Sequence, residues 1–251
     1  MPVQFGKAGA GAREMARKRT IRIYGVLFVF LAVSGIFNLL ANRLLHMNSY
    51  LLNLIGWLAL GGSLGLLIVV CRALLDPKKE IDKTIDQAIM GARAEEKVSE
   101  ILGGLPKGYA VFNDFPCPMG NIDHIVVGPK GVFVIETKGH SGEITLSPDG
   151  NLLRDGKPLE KDFLKQVLGQ SFWLKEKLAG PDGRAPFVNP VVVFTRAFVK
   201  VYQPVKSVRI VNKKWLINCI TENKGRLEKE ELDRIFYRLL SMKSEMAAAE
   251  K

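Results

Sequence analysis

The chain has 251 residues, 47% apolar and 24% charged, with 36 Lys and Arg against 25 Asp and Glu for a formal charge of +11. Apolar content this high, with only three cysteines, excludes a disordered chain, a low-complexity or collagen-like chain and a small disulfide-stapled scaffold. The charge is uneven: residues 1–22 hold Lys7, Arg13, Arg17, Lys18, Arg19 and Arg22 against Glu14, whereas the chain beyond residue 75 is only mildly basic.

After this basic tail come two runs with no charged side chain, IYGVLFVFLAVSGIFNLLA from Ile23 to Ala41 and LLNLIGWLALGGSLGLLIVVC from Leu51 to Cys71. Each is long enough to cross about 30 Å of hydrocarbon at about 1.5 Å per residue. A chain of this size rarely buries two helices that are apolar on every side. The short connection NRLLHMNSY predicts an antiparallel transmembrane hairpin, and the cations before the first run and after the second (Arg72, Lys78, Lys79, Lys83) put both ends on the cytoplasmic side of an inner membrane. Gly61, Gly62 and Gly65 permit close helix contact, which would serve a homo-oligomer or the hairpin itself. The expected organisation is a basic tail over 1–22, two membrane helices over 23–75, a polar stalk over 76–90 and a folded domain over 91–251. Cys117 and Cys219 lack metal or CxxC spacing; a bridge between them is open, and buried free thiols suit a reducing compartment.

Within the folded domain ARAEEKVSEIL, from Ala92 to Leu102, lines Ala94, Val98, Ile101 and Leu102 on one helical stripe and stops at Gly103 and Gly104. Strand patterns follow at YAVFNDF from Tyr109, IDHIVVG from Ile122 and GVFVIET from Gly131, the last two joined by a tight GPKG hairpin. Glu143 to Leu146 predicts a short strand, PDGN and RDGK predict turns, and Asp162 to Leu178 an amphipathic helix with Phe163, Val167, Trp173, Leu174 and Leu178 inward. PVVVFTRAF from Pro190 is apolar throughout, as befits a strand covered on both faces. A strand at Val208 to Val211, a segment from Trp215 to Ile220 open to either assignment, and a charged helix from Glu228 to Leu240 complete an α/β pattern: a sheet flanked by helices.

The chemistry concentrates where apolar strands turn ionic. In GVFVIETKG, alternation puts Val132, Val134, Glu136 and Lys138 on one face; in the preceding strand Asp123 shares a face with Ile125 and Val127. A hairpin would bring Asp123 near Glu136, and two such carboxylates repel unless a cation lies between them. Mg²⁺ or Mn²⁺ accepts this kind of sparse oxygen shell, completed by waters and substrate phosphate. A surface ion pair worth no more than about 1 kcal/mol is the alternative reading. His124 alternates to the face opposite Asp123, where a hydrogen-bonded structural histidine is expected. Gly139, His140, Ser141 and Gly142 form a turn after Lys138 whose N–H groups could meet phosphate. The cations between Arg196 and Lys224 read either as a phosphate-binding surface or, slightly ahead of it, as dispersed solvating charge, because no aromatic side chains interleave with them as a stacking platform would require.

GARAEEKVSEIL, GYAVFNDF and GNIDHIVVGPKGVFVIETKGHSGEI together resemble the nuclease-related domain, NERD, a branch of the PD-(D/E)xK nuclease-like superfamily. The resemblance runs from Gly91 to Leu178 and more loosely through the strand from Pro190 to Thr195. It implies a restriction-endonuclease-like mixed sheet flanked by helices, here preceded by the transmembrane hairpin. It further implies that Asp123, Glu136 and the carbonyl of Thr137 hold Mg²⁺ or Mn²⁺, that Lys138 positions or deprotonates the attacking water, and that Glu95 binds or orients the metal. Gln166 matches a glutamine on the following helix, although the Asn-Pro that precedes it in the family is missing. The expected function is a membrane-anchored, metal-dependent nuclease acting on nucleic acid, DNA ahead of RNA. The alternative is a non-catalytic nucleic-acid-binding or signalling module tethered to the bilayer.

Overall fold

The structure, a computed structural model, describes residues 1–9 and 80–249 together with isolated positions between 13 and 65. The chain divides into two compact units, Met1–Ala12 with Met90–Lys251, and Arg13–Ile89. The apolar runs 23–41 and 51–71, and with them the membrane hairpin, Gly61, Gly62 and Cys71, lie almost wholly outside the described residues. No described helix is long and apolar enough to cross a membrane.

In chain order the described elements are β1 (Val3–Phe5), α1 (Glu80–Leu102), β2 (Ala110–Cys117), β3 (Gly120–Gly128), β4 (Gly131–Lys138), β5 (Glu143–Leu146), β6 (Leu152–Arg154) and β7 (Lys157–Pro158). They continue with α2 (Phe163–Lys177), β8 (Val188–Phe194), β9 (Phe198–Val199), β10 (Arg209–Asn212), a 3₁₀ turn at Lys213–Trp215, α3 (Leu216–Thr221) and α4 (Lys229–Ala249). A mixed sheet of six strands runs β1-β2-β3-β4-β8-β10, and a smaller one runs β7-β6-β5-β9. The mixed α/β architecture agrees with the expected class.

The centre of the large sheet follows from composition. β4 pairs antiparallel with β3 and parallel with β8, so it has no free edge and both its faces must be apolar. Val132 and Val134 enter one core with Ile125, Val192, Phe194 and the α2 residues Phe163, Val167 and Leu174. Phe133 and Ile135 enter the other, with Val98 and Leu102 of α1, Val126, Val193 and the α3 residues Leu216 and Ile220. The sheet is thus sandwiched, and its central strands are 0% exposed at these positions. Truncating Phe133 to Ala would cost about 3–5 kcal/mol. The α2 helix starts where Asp162 Oδ1 accepts from the Lys165 N–H at 3.0 Å, and Lys175 and Lys177 in its last turn complement the helix dipole.

Residues 1–9 are the element that a reading of 1–22 as a tail does not foresee. Val3 to Phe5 pair in parallel with Ala110 to Phe112. Phe5 stacks on Phe112 at 4.9 Å and meets Phe236 of α4 at 5.7 Å. Three residues can hold this place because each supplies either ladder bonds or ring contact.

His124 behaves as its alternation implies. It is fully buried on the α1 side, its Nδ1 2.7 Å from Asn113 Oδ1, and its Nε2 has no partner. Burial lowers its pKa to about 3, so it is neutral in the fold. The unfolded chain takes up a proton below about pH 6.5 and the folded chain does not, so His124 withdraws stability as pH falls from 6.5 towards 3. At pH 5 this amounts to about 2 kcal/mol relative to pH 7 and above. Thermal melts at the two pH values should show the native chain losing that much more than His124→Gln; equal pH slopes would contradict a neutral buried imidazole.

Candidate active site

The site grows from a defect in the sheet. Strands β2 and β3 pair in register from Ala110↔Val127 to Cys117↔Gly120, but the pair that would join Asp114 to Asp123 is absent. The β3–β4 ladder ends at His124↔Ile135, one step short of Asp123 and Glu136. Asp114 holds φ 50°, a left-handed conformation that Asp tolerates better than most residues. The alternation breaks on both strands there: Phe112 and Phe115 lie in the same core, as do Ile122 and Ile125, although each pair differs in parity. Asp114, Asp123 and Glu136 therefore form one row across three adjacent strands, at the point where the ladders open.

Each acid in the row has a defined hold. Asp123 Oδ2 accepts from the Thr137 backbone N–H at 2.6 Å, taking the place of the missing ladder bond. A residue's N–H and C=O leave an extended strand on the same side, so the Thr137 carbonyl also lies on the β3 side, beyond the last cross-strand pair. Asp114 Oδ1 accepts from Asn121 Nδ2 at 2.6 Å. Glu136 is 3% exposed; its Oε1 accepts from Lys138 Nζ at 2.5 Å, while its Oε2 is buried and unpartnered. Lys138 Nζ also sits 4.2 Å from the centre of the Phe163 ring, held between an anion and an aromatic face.

Charge repulsion registers in the electrostatics. Burial raises the Asp123 pKa well above the usual carboxylate range, with Glu136 and then Glu95 adding to it and the Thr137 N–H opposing. Burial likewise brings Glu95 up to about 7, helped by Asp114 and Glu136 and opposed by the Gly9 N–H and Lys138. These mutual influences place Glu95 of α1, Asp123 of β3, and Glu136 and Lys138 of β4 in one electrostatic cluster. Gln166 stands half-buried in the first turns of α2, three residues after Phe163 and so on the stripe that reaches Lys138.

Among the described residues, no three His, Cys, Asp or Glu side chains stand together as a metal cage. Two hard carboxylates, a nearby carbonyl and an orphaned buried carboxylate oxygen nevertheless fit a hard cation that keeps most of its waters.

Several neighbours were not foreseen. His140 rather than His124 is the histidine of the site: its ring meets Phe163 at 5.4 Å and Phe194 at 6.3 Å, and its Nδ1 is buried without a partner. Burial, then Arg154 and Lys138, lower its pKa. Its place two residues after Lys138 is the sequence signal that points to it. Gln170 is 0% exposed and donates to the Asn121 carbonyl at 3.2 Å, tying α2 to the β2–β3 hairpin; a polar residue on the inward stripe 163–167–170–174 marks it. Cys117, half-buried and free like Cys219, lies close enough for Glu136 to contribute to its raised pKa, behind the larger effect of burial.

Two segments outside this cluster close around it. The Gly9 N–H donates to Glu95 Oε2 at 2.9 Å. Lys243 of α4 donates to the Asn113 carbonyl at 2.6 Å, and burial lowers its pKa while Asp114 opposes. Neither has a local sequence signal, since each depends on a contact between distant parts of the chain.

A family model described as the nuclease-related domain matches residues 90–195. That span holds Glu95, Asp114, Asp123, Glu136, Lys138 and Gln166, and the match supports a nuclease-related function. No curated protein and no solved structure matches the chain. Residues 1–9 and Lys243 lie outside the matched span.

The seating of the N-terminus is testable at Gly6. Its φ is +82°, and a Cβ there would lie 2.4 Å from Lys243 Nζ and 2.5 Å from the Asn113 carbonyl oxygen. Gly6→Ala should cost about 2 kcal/mol and lower Tm by several degrees. An unchanged Tm would mean that residues 1–9 do not occupy this place in solution.

Proposed function

We propose that the chain is a membrane-anchored, metal-dependent nuclease that hydrolyses phosphodiester bonds in nucleic acid, DNA ahead of RNA. The observation that carries the reading is the opposition of Asp123 and Glu136 where the sheet opens, with Glu136 Oε2 buried and unpartnered beside Lys138. A protein retaining this arrangement for structure alone would be more stable with apolar residues of similar volume in the same row.

In this reading Asp123, Glu136 and the Thr137 carbonyl hold Mg²⁺ or Mn²⁺, and Glu95 completes the acidic shell. The ion when bound supplies a water of lowered pKa and offsets charge on the phosphate. Lys138, fixed by Glu136 and the Phe163 ring, orients the attacking water towards phosphorus. Gln166 borders the same opening from α2 and would bind the phosphate or the water. Phe163 and Phe194 exclude bulk solvent from the Lys138 side, which strengthens each polar contact there.

The anchor rests on the apolar runs 23–41 and 51–71 and on the positive charge that flanks them. The isolated described positions Phe28 and Ile36 are 73% and 57% exposed, as an apolar helix surface facing lipid would be. Both termini and the folded domain then lie on the cytoplasmic side of the inner membrane, with the glycines of the second run open to self-association.

Lys138→Ala should reduce metal-dependent cleavage by the full chain at least about a hundredfold while leaving nucleic-acid affinity within about twofold; an unchanged rate sinks the assignment. Calorimetric titration of Mg²⁺ or Mn²⁺ should give heat with the native chain and far less with Asp123→Asn. No heat from either would favour the non-catalytic binding or signalling module. Alkaline carbonate washing should leave the full chain with the membrane pellet, and complete release would remove the anchor.

A further inference from the structure

The cations between Arg196 and Lys224 are read from sequence as dispersed charge, because no aromatic residue stands among them in a regular pattern. In the fold, aromatic side chains do come together beside them. β9, the turn after it and the segment Lys213–Trp215 enclose a groove of about 810 Å³ lined by Phe198, Tyr202 and Trp215. These rings are 64%, 83% and 65% exposed, although together they form a large apolar surface in one hollow.

The charge around the rings is selective. Arg209 is committed to structure, donating to the Cys219 carbonyl and to Asn223 Oδ1, both at 2.8 Å. Lys200 is paired with Glu143 at 2.7 Å, and Glu222, the acid on the lining, accepts from Asn218. Among the described residues Lys213 and Lys214 have no ion-pair partner; both precede Trp215 in the 3₁₀ turn, and Lys214 lines the groove with it. The turn carrying Lys206 and Ser207 holds φ of 49° and 67°, a left-handed pair without glycine, and it bridges Val205 to Val208 beside Tyr202. Two strained residues at one exposed turn are features that persist only where surrounding structure holds them.

One wall of the groove is tied to the segment that follows Lys138. The Phe198 N–H donates to the Gly142 carbonyl at 2.8 Å, in the loop four residues after Lys138, and β8 ends against Lys138. We infer that this groove takes an unpaired stretch of nucleic acid, its bases stacked on Trp215, Tyr202 and Phe198 and its phosphates at Lys213 and Lys214. Ring faces are available to bases only when those bases are not already stacked in a duplex. A hollow with rings on its walls suits inserted bases better than the flat surface of a bilayer. The inference rests on the nuclease reading only for the polymer's identity, and it makes that polymer single-stranded where it lies in the groove.

Anisotropy of short fluorescein-labelled oligothymidylate and oligouridylate, and of a duplex of the same length, tests this with the full chain in detergent micelles and chelator present. Trp215→Ala should weaken single-strand binding roughly tenfold or more and leave duplex binding unchanged, whereas Trp215→Phe should retain most of the affinity. The two oligonucleotides decide between DNA and RNA. Trp215 is exposed, so an unchanged Tm will accompany either variant. Absence of single-strand binding by the native chain, or native affinity in both Trp215→Ala and Tyr202→Ala, overturns the inference. So does a Trp215-dependent loss of binding to anionic vesicles with oligonucleotide binding intact, which would make the groove a membrane contact. Lys138→Ala separates the two readings: Trp215-dependent binding without any Lys138-dependent cleavage leaves the groove and removes the hydrolase, and the reverse pattern removes the groove alone.

Discussion

Carboxylates that must share a partly buried row of a sheet govern the rest of this domain. Asp114, Asp123 and Glu136 stand opposite one another on β2, β3 and β4, and ordinary pairing would force three like charges into cross-strand contact. The ladders open there instead. Asp114 turns into left-handed backbone, and Asp123 replaces a main-chain acceptor for the Thr137 N–H. The cost of that opening is met by the two apolar cores above and below β4, which fix the strands on either side of it. Lys138 answers one oxygen of Glu136 and leaves the other without a partner. Electrostatic frustration of this kind is tolerated where a ligand relieves it, and a site that binds a cation and a polyanion is one solution.

The surroundings of the row are drawn from three parts of the chain. Helix α2 brings Phe163 against Lys138 and ties itself to the β2–β3 hairpin through Gln170. Helix α4 brings Lys243 to the Asn113 carbonyl, next to the break. The first residues bring the Gly9 N–H to Glu95. Only the first of these lies within the span matched by the nuclease-related model, so the same core chemistry is framed here by segments that the matched domain does not include.

Much of this could be read from the residues. Alternation located β2, β3, β4 and β5 within one or two residues, the apolar run from Pro190 announced a strand covered on both faces, and the amphipathic stripe found α2. Asp123, Glu136 and Lys138 stand out because ions in apolar strands are costly, and alternation sends His124 to the opposite face, where it is buried against Asn113. Asp114 was invisible, since it looks like an ordinary strand residue until its φ is known. The two-residue strands β7 and β9 are too short to carry a period. Gly9 and Lys243 escape because their partners are 86 and 130 residues away, and the Phe198, Tyr202 and Trp215 hollow because irregular turns rather than a periodic element bring those rings together. Gln166 rests on likeness alone: it is half-buried on α2, three residues after Phe163.

The parallel pairing of Val3–Phe5 with β2 joins positions 107 residues apart, as the Asn113 contact with the Gly6 carbonyl also does. Closing a flexible loop of that size would carry an entropic penalty of about 4 kcal/mol, more than three ladder residues return by themselves. The ring contacts of Phe5 with Phe112 and Phe236 and the Asn113 bond to the Gly6 carbonyl supply the remainder. Completion of the sheet edge and the Gly9 bond to Glu95 are therefore thermodynamically linked. Whatever strengthens one favours docking of the other and with it the delivery of a backbone donor to Glu95.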